Sequence, residues 1–318
     1  MTEIILEARN VSKLFAAQGR GAGDGMLKAL NDVSLKVTKG RSLGLVGESG
    51  CGKSTFVKCL LNLFPPTQGA FFYRGRNLSE LKGEELRQSR RHIQIVFQDP
   101  ATSFNPRMTV EEIVCEPLLN FKLISKKQTR SRAEELLAMV ELPSDYVSRR
   151  PLHMSGGQRQ RVGLARALAL SPEILVCDES TSALDVLVQK RIIELLVRLQ
   201  RELGLTIIFI CHDLALVQSF CHQVAIMYLG SVVEVLGDGQ MKRARHPYTR
   251  ALLDSIFPLC PGAKMVIKNL EGEVPSPIDS PPGCPFQGRC ETAEKVCLDE
   301  KPRLAELEPG HLVACHAM

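Results

Sequence analysis

Hydrophobic and polar positions alternate with a two-residue period over Ile4-Ile-Leu-Glu-Ala-Arg-Asn-Val-Ser-Lys-Leu-Phe15 and again over residues 29–37. That period predicts two strands of an edge or hairpin type. Between them, residues 18–25 are rich in glycine and read as a loop. A short apolar run over residues 42–46 then leads into a glycine-rich stretch, and a helical apolar period follows over 54–63, stopped by Pro65-Pro66. Residues 70–73 and 93–97 are strand-like, with a charged helical stretch over 83–91 between them. From about residue 99 to 154 the pattern turns helical and is punctuated by Pro100, Pro106, Pro117 and Pro143. A long helix is predicted from Ser155 through Ala169, a buried strand over 174–177, a helix over 187–203 and a further buried strand over 205–211. Residues 224–228 and 231–235 suggest a last β pair, and 257–318 read as a loop-rich appendage. The order predicts an α/β fold: a core of parallel strands and helices, an N-terminal antiparallel β layer, an inserted α-helical subdomain and a small Cys/Pro-rich C-terminal appendage.

Composition changes this picture little. At 318 residues, 44% hydrophobic and 24% charged, the chain can bury a large domain and a smaller one. A formal charge of +5 permits contact with anionic surfaces but does not by itself argue for nucleic acid. No apolar run approaches the roughly 18 residues of a membrane span. The N-terminus lacks the basic start and long apolar stretch of a signal peptide, so the expected location is cytoplasmic.

The candidate chemistry centres on Gly47-Glu48-Ser49-Gly50-Cys51-Gly52-Lys53-Ser54-Thr55, placed between a predicted strand and a predicted helix. This is the context of a phosphate-binding P-loop, in which backbone N–H groups and a helix N-terminus face phosphate oxygens. Lys53 would reach the β/γ-phosphates of ATP or GTP and the Ser54 hydroxyl would ligate Mg²⁺. The apolar run 174–177 ends in Asp178-Glu179, where Asp178 would hold Mg²⁺ and Glu179 would polarise the attacking water. Gln98 and His212 each close a predicted strand, where an amide could sense Mg²⁺ and the γ-phosphate and an imidazole could bond that phosphate. Ser155-Gly156-Gly157-Gln158 is a second phosphate-friendly helix start, and with one P-loop in the chain it points to a different active site.

Taken in order, these motifs resemble the nucleotide-binding subunits of ABC transporters over residues 1 to about 240. GESGCGKST at 47–55 corresponds to Walker A, Gln98 to the Q-loop, MSGGQ at 154–158 to the signature and ILVCDE at 174–179 to Walker B. SALD at 182–185, with Asp185, corresponds to the D-loop and His212 to the switch histidine. The resemblance implies that two such subunits pair head to tail, each signature completing the other's ATP site. It also implies that Phe15 stacks on adenine. Gln98-Asp-Pro100, Ser103-Phe-Asn-Pro106, His246-Pro-Tyr248 and the Pro/Cys-rich tail over 241–318 are similar to subunits that energise oligopeptide and dipeptide permeases. Expected partners are a second ATPase subunit (a related chain, as is common in the peptide systems, or a second copy), two integral membrane permease subunits reached through the helical insert near 98–117, and indirectly a substrate-binding protein. The place would be the cytoplasmic face of the inner membrane. Nickel, glutathione and sugars are alternative cargoes. Two departures stand out: Ser180 replaces the usual Pro after the catalytic Glu, and Met154 replaces the usual Leu of the signature.

Eleven cysteines divide into two sets. Cys51, Cys59, Cys115, Cys177, Cys211, Cys221 and Cys260 are scattered and read as small buried hydrophobes. Cys284, Cys290, Cys297 and Cys315 are separated by five, six and seventeen residues, and four thiolates suit a 4Fe–4S cluster or a Cys₄ zinc site. The spacing alone does not choose between them; resemblance to peptide-permease subunits favours the cluster. The other class of function considered is a soluble ABC ATPase acting on nucleic acid or ribosomes. Such proteins carry two nucleotide domains or long coiled-coil insertions, and this sequence has neither, so no nucleic-acid partner is expected.

Overall fold

The computed structural model of the chain describes residues 3–16, 25–97, 103–180, 185–255 and 281–317, with 272, 275, 276 and 278. The chain divides into two compact units. One holds residues up to 38, 42–80 and 211 onward; the other holds 39–41 and 81–210.

In the first unit, β1 (Ile4–Ala16), β2 (Met26–Thr38), β4 (Gln68–Tyr73) and β5 (Arg76–Asn77) form an antiparallel sheet in the order β2-β1-β4-β5. This is the predicted N-terminal β layer. Its inner face carries Leu6, Ala8, Val11, Val33, Leu35 and Phe71, all buried. The same unit contains β3 (Ser42–Val46), β9 (Gln223–Tyr228) and β10 (Ser231–Gly237). Strand β3 runs parallel to β9, and β9 pairs antiparallel with β10. The helix after β3 spans Lys53–Leu60, shorter than the pattern suggested. Asn62 takes a left-handed φ of 52° and turns the chain out of the helix before Pro65 is reached.

The C-terminal region adds a helix ahead of the expected loop-rich appendage and a β-hairpin within it. A helix spans Pro247–Asp254, and a short hairpin of β11 (Ala305–Glu308) and β12 (His311–Val313) adds to β10 through Glu234↔Val313 and Val235↔Leu312. Strands of three and four residues are too short to show an alternation. The rings of Tyr228, Tyr248 and Phe286 pack within 4.8–5.5 Å of one another and give this region an aromatic core.

In the second unit, β6 (Ile93–Val96), β7 (Ile174–Asp178) and β8 (Thr206–Cys211) pair in parallel. Their near-continuous apolar sequences fit strands covered on both faces. The helix Val186–Leu203 buries Ile192, Leu195, Leu196 and Leu199 at helical spacing. The predicted helical insert contains helices Val110–Asn120 and Thr129–Met139, which pack with Gly156–Leu168. Ile113, Val114, Leu118, Leu136 and Leu137 make its core. Thr109 and Glu112 form a reciprocal capping box that starts the first of these helices. No described helix is long and apolar enough to cross a membrane.

Candidate nucleotide site and the tail cysteines

Strand β3 is buried along its whole length, so the chain leaves the core at Gly47 and turns back into the helix at Lys53. The turn depends on Gly52, whose φ is 109° and whose missing Cβ would lie 2.4 Å from the Ala29 carbonyl oxygen. No side chain caps the helix, so its first N–H groups remain free for an anion. Lys53 is 4% exposed. Its Nζ donates to the carbonyls of Gly47 (2.7 Å) and Glu48 (3.0 Å) and must leave them to meet a phosphate. Ser49, Gly50 and Ser54 are exposed at the mouth of the turn, and Thr55 is half-buried. Cys51 is buried, and burial pushes its thiol up against the opposing pull of Lys53. The cradle suits a polyphosphate.

Phe15 is half-buried. Its ring meets Phe64 edge-on at 6.0 Å, with Lys13 Nζ 5.0 Å from the centroid. His212 is exposed, and Asp213 caps the next short helix by accepting from the Leu216 N–H at 3.1 Å.

In the second unit, Asp178 ends β7 and Glu179 follows it, both half-buried. Glu179 has φ 45°, a left-handed conformation for a residue with a Cβ, and its N–H donates to the Ile210 carbonyl at 2.9 Å. Strain of this kind is found where a side chain must be aimed. Ser180 is 3% exposed and lies against Cys177, whose thiol is pushed up to about 12, chiefly by burial. The Ser155 hydroxyl accepts from the Gln158 N–H (3.3 Å), and Gln158 Oε1 accepts from the Ser155 N–H (2.9 Å). Ser155 thus caps Gly156–Leu168 while staying exposed. Gly156 and Gly157 form the first turn, and a Cβ on Gly157 would meet Val188 Cγ1 at 2.6 Å. Asp185 caps the helix Val186–Leu203 by accepting from the Val188 N–H at 2.9 Å. Gln98 and residues 182–184 lie outside the described residues, as does Cys260.

The six other scattered cysteines are all buried. Of the tail set, Cys284 and Cys297 are buried and Cys290 and Cys315 are half-buried. The Cys284 N–H donates to the Cys297 carbonyl at 2.8 Å. Burial pushes the Cys284 thiol up to about 11; a backbone bond from Phe286 opposes this, and the other three thiols add to it. Burial also raises Cys315, with Cys290 and Cys297 contributing. Among the described residues, however, no group of three or more His, Cys, Asp or Glu side chains converges on a place that could hold a metal ion.

A polyphosphate cradle, a strained Asp-Glu strand end and a Ser-Gly-Gly helix start define an ATP-binding cassette. Residues 30–182 match the ABC transporter family, and residues 238–297 match the oligopeptide/dipeptide transporter C-terminal region. The oligopeptide transport ATP-binding protein AppF of Bacillus subtilis is 43% identical over 99% of this chain and 97% of its own length. The putative oligopeptide transport ATP-binding protein YkfD of the same organism is 47% identical over 91% and 89%. Among solved structures, the dimeric cassette MJ0796 bound to ADP and Pi in a post-hydrolysis state has a TM-score of 0.64 and 32% identity, covering 74% of this chain and 99% of its own. The chain belongs to the ABC transporter ATP-binding subunits of the oligopeptide/dipeptide permease family.

Proposed function

We propose that the protein hydrolyses ATP to energise an inner-membrane importer of peptides, with the P-loop Gly47–Thr55 as its phosphate cradle. The observation that carries this is the uncapped helix start at Lys53 behind the Gly52 turn, in a chain whose relatives are named for oligopeptide transport. When bound, Mg²⁺ and ATP supply the electrophilic phosphorus and neutralise developing charge. Lys53 would reach the β/γ-phosphates, and Ser54 and Asp178 would hold the Mg²⁺. Glu179 would orient the attacking water and take its proton, and Gln98 and His212 would sense the γ-phosphate. Phe15 supports the adenine. Ser155, Gly156, Gly157 and Gln158 present a second anion-binding helix start to the nucleotide of a partner ATPase subunit, and Asp185 holds the adjoining helix in place.

Exposed Leu152 (74%), Val186 (79%) and Leu187 (73%) flank the signature and the D-loop, apolar surface that a partner subunit would cover. A groove of about 230 Å³ in the second unit, lined by Gln94, Phe97, Phe104, Pro117, Phe121 and Arg166, offers the membrane subunits a docking place on the cytoplasmic face. The experiment is purification from membranes: co-purified integral membrane subunits and peptide-stimulated ATP hydrolysis support the reading. Recovery of rRNA or DNA in their place contradicts it.

For the tail, the proposal is a structural 4Fe–4S cluster on Cys284, Cys290, Cys297 and Cys315. Burial raises the Cys284 and Cys315 thiols, with the neighbouring thiols adding to it, and bound iron would favour their thiolate forms. A cluster takes its four thiolates at separate corners, which the lack of a single-ion site among the described residues does not oppose. Anaerobically purified protein is then brown, with iron and acid-labile sulfide. Colourless zinc-loaded or metal-free protein overturns it.

A further inference from the structure

The turn that opens the phosphate cradle is held by residues of the C-terminal extension, all within the first unit. Arg289 Nη1 donates to both carboxylate oxygens of Glu48, at 3.2 and 3.1 Å. The Glu48 N–H donates to the Tyr248 hydroxyl at 3.1 Å, and its carbonyl accepts from Lys53 Nζ at 3.0 Å. Residue 48 is therefore fixed at its amide, its carbonyl and its side chain. Arg289 is no loose surface cation. Its side chain is 8% exposed, its Cζ lies 5.8 Å from the Tyr228 ring centroid, and it follows Phe286 of the aromatic core in a short 3₁₀ turn.

The charge arrangement calls for an explanation. Glu48 directly precedes the exposed Ser49-Gly50 of the cradle, so the loop that would meet a polyanion carries an acidic side chain. An unpaired carboxylate there repels phosphate. Arg289 cancels that charge and holds the carboxylate on the side of the extension.

We propose that Arg289 is a positioning residue of the nucleotide site, neutralising Glu48 so that the cradle accepts ATP, which makes the C-terminal extension a working part of that site. The proposal rests on the assignment of residues 47–55 to phosphate binding. A merely structural ion pair and a neutralising one predict different signs. If the pair only fixes structure, removing either partner weakens ATP binding. If Arg289 neutralises Glu48, Arg289→Gln leaves the carboxylate bare and weakens ATP, while Glu48→Gln leaves the guanidinium bare and tightens it.

The test is titration of the full chain with Mg-ATP. Arg289→Gln should bind about tenfold more weakly, a defect that shrinks at high salt. Glu48→Gln should bind about threefold more tightly, and the double variant should recover to within about threefold of the parent. Weaker binding by both single variants, or no recovery in the double, overturns the proposal. Glu48→Gln decides alone if Arg289→Gln does not fold: unchanged or weaker binding contradicts neutralisation. Lys53→Ala tests the cradle separately. Unaltered ATP affinity there would refute the phosphate assignment itself, whatever Arg289 does.

Discussion

Glu179 is the side chain on which the proposed hydrolytic reading turns. Its left-handed backbone is sustained by the Ile210 carbonyl at 2.9 Å, although Ser180 stands where the family usually has Pro. Glu179→Gln keeps size and hydrogen bonding but loses the base, so turnover should fall by about a hundredfold or more while ATP affinity stays within about twofold. Steady-state hydrolysis with parallel nucleotide titration checks this. Gly157 allows a second prediction: a methyl group there meets Val188 Cγ1 at 2.6 Å, so Gly157→Ala should cost about 1–3 kcal/mol in denaturant unfolding. At this scale the sequence marks candidates: Lys53, Ser54, Asp178 and Glu179 lie in short local motifs, and the structure places Lys53 at the start of a helix and Asp178 at the end of β7. Arg289 was not legible, because its partner is 241 residues away and no local pattern links them.

The C-terminal hairpin shows how a marginal element is held. Glu234 on β10 is wholly buried, yet its carboxylate accepts from the Arg245 N–H (2.7 Å), the His246 N–H (3.3 Å) and His311 Nε2 (2.8 Å). One side chain thus ties β10, β12 and the start of the helix Pro247–Asp254 together. Glu234→Ala would strand three donors, and unfolding free energy should drop by about 3 kcal/mol. His246, 1% exposed, accepts the Tyr248 N–H on Nδ1, and burial pushes its imidazole down to about 4. An unfolded histidine titrates near 6.5, so between 6.5 and about 4 the unfolded chain binds more protons. Stability present above pH 6.5 is lost as pH falls through that window, by roughly 3 kcal/mol in all. His246→Asn keeps an acceptor at the helix start, and its melting temperature should fall less than the parent's from pH 6.5 to 4. The strong periodic elements were readable here, but the hairpin was not: its identity comes from pairing with β10 and from Glu234, not from its own seven strand residues.

For the whole molecule, the fold class followed from element order, since a buried strand, a Gly-rich turn and a helix recur with apolar parallel strands. What sequence could not supply was the placement of the tail, whose described residues lie in the same compact unit as the phosphate cradle. If the Ser155–Gln158 helix start serves a partner's nucleotide, as proposed, a lone chain should be a weak ATPase, and Glu179→Gln with ATP should elute paired with its ATPase partner, a related chain or a second copy, in size-exclusion chromatography. The central claim joins ATP hydrolysis at this cradle to movement of peptide across a membrane. Its most direct test is uptake of labelled peptides into vesicles containing the purified transporter and its binding protein, with ATP on the side of this subunit. Peptide should accumulate with the parent chain and fail to accumulate with Glu179→Gln or Lys53→Ala. Equal accumulation with those variants, or none with the parent across a peptide panel while ATP is hydrolysed, would contradict the account.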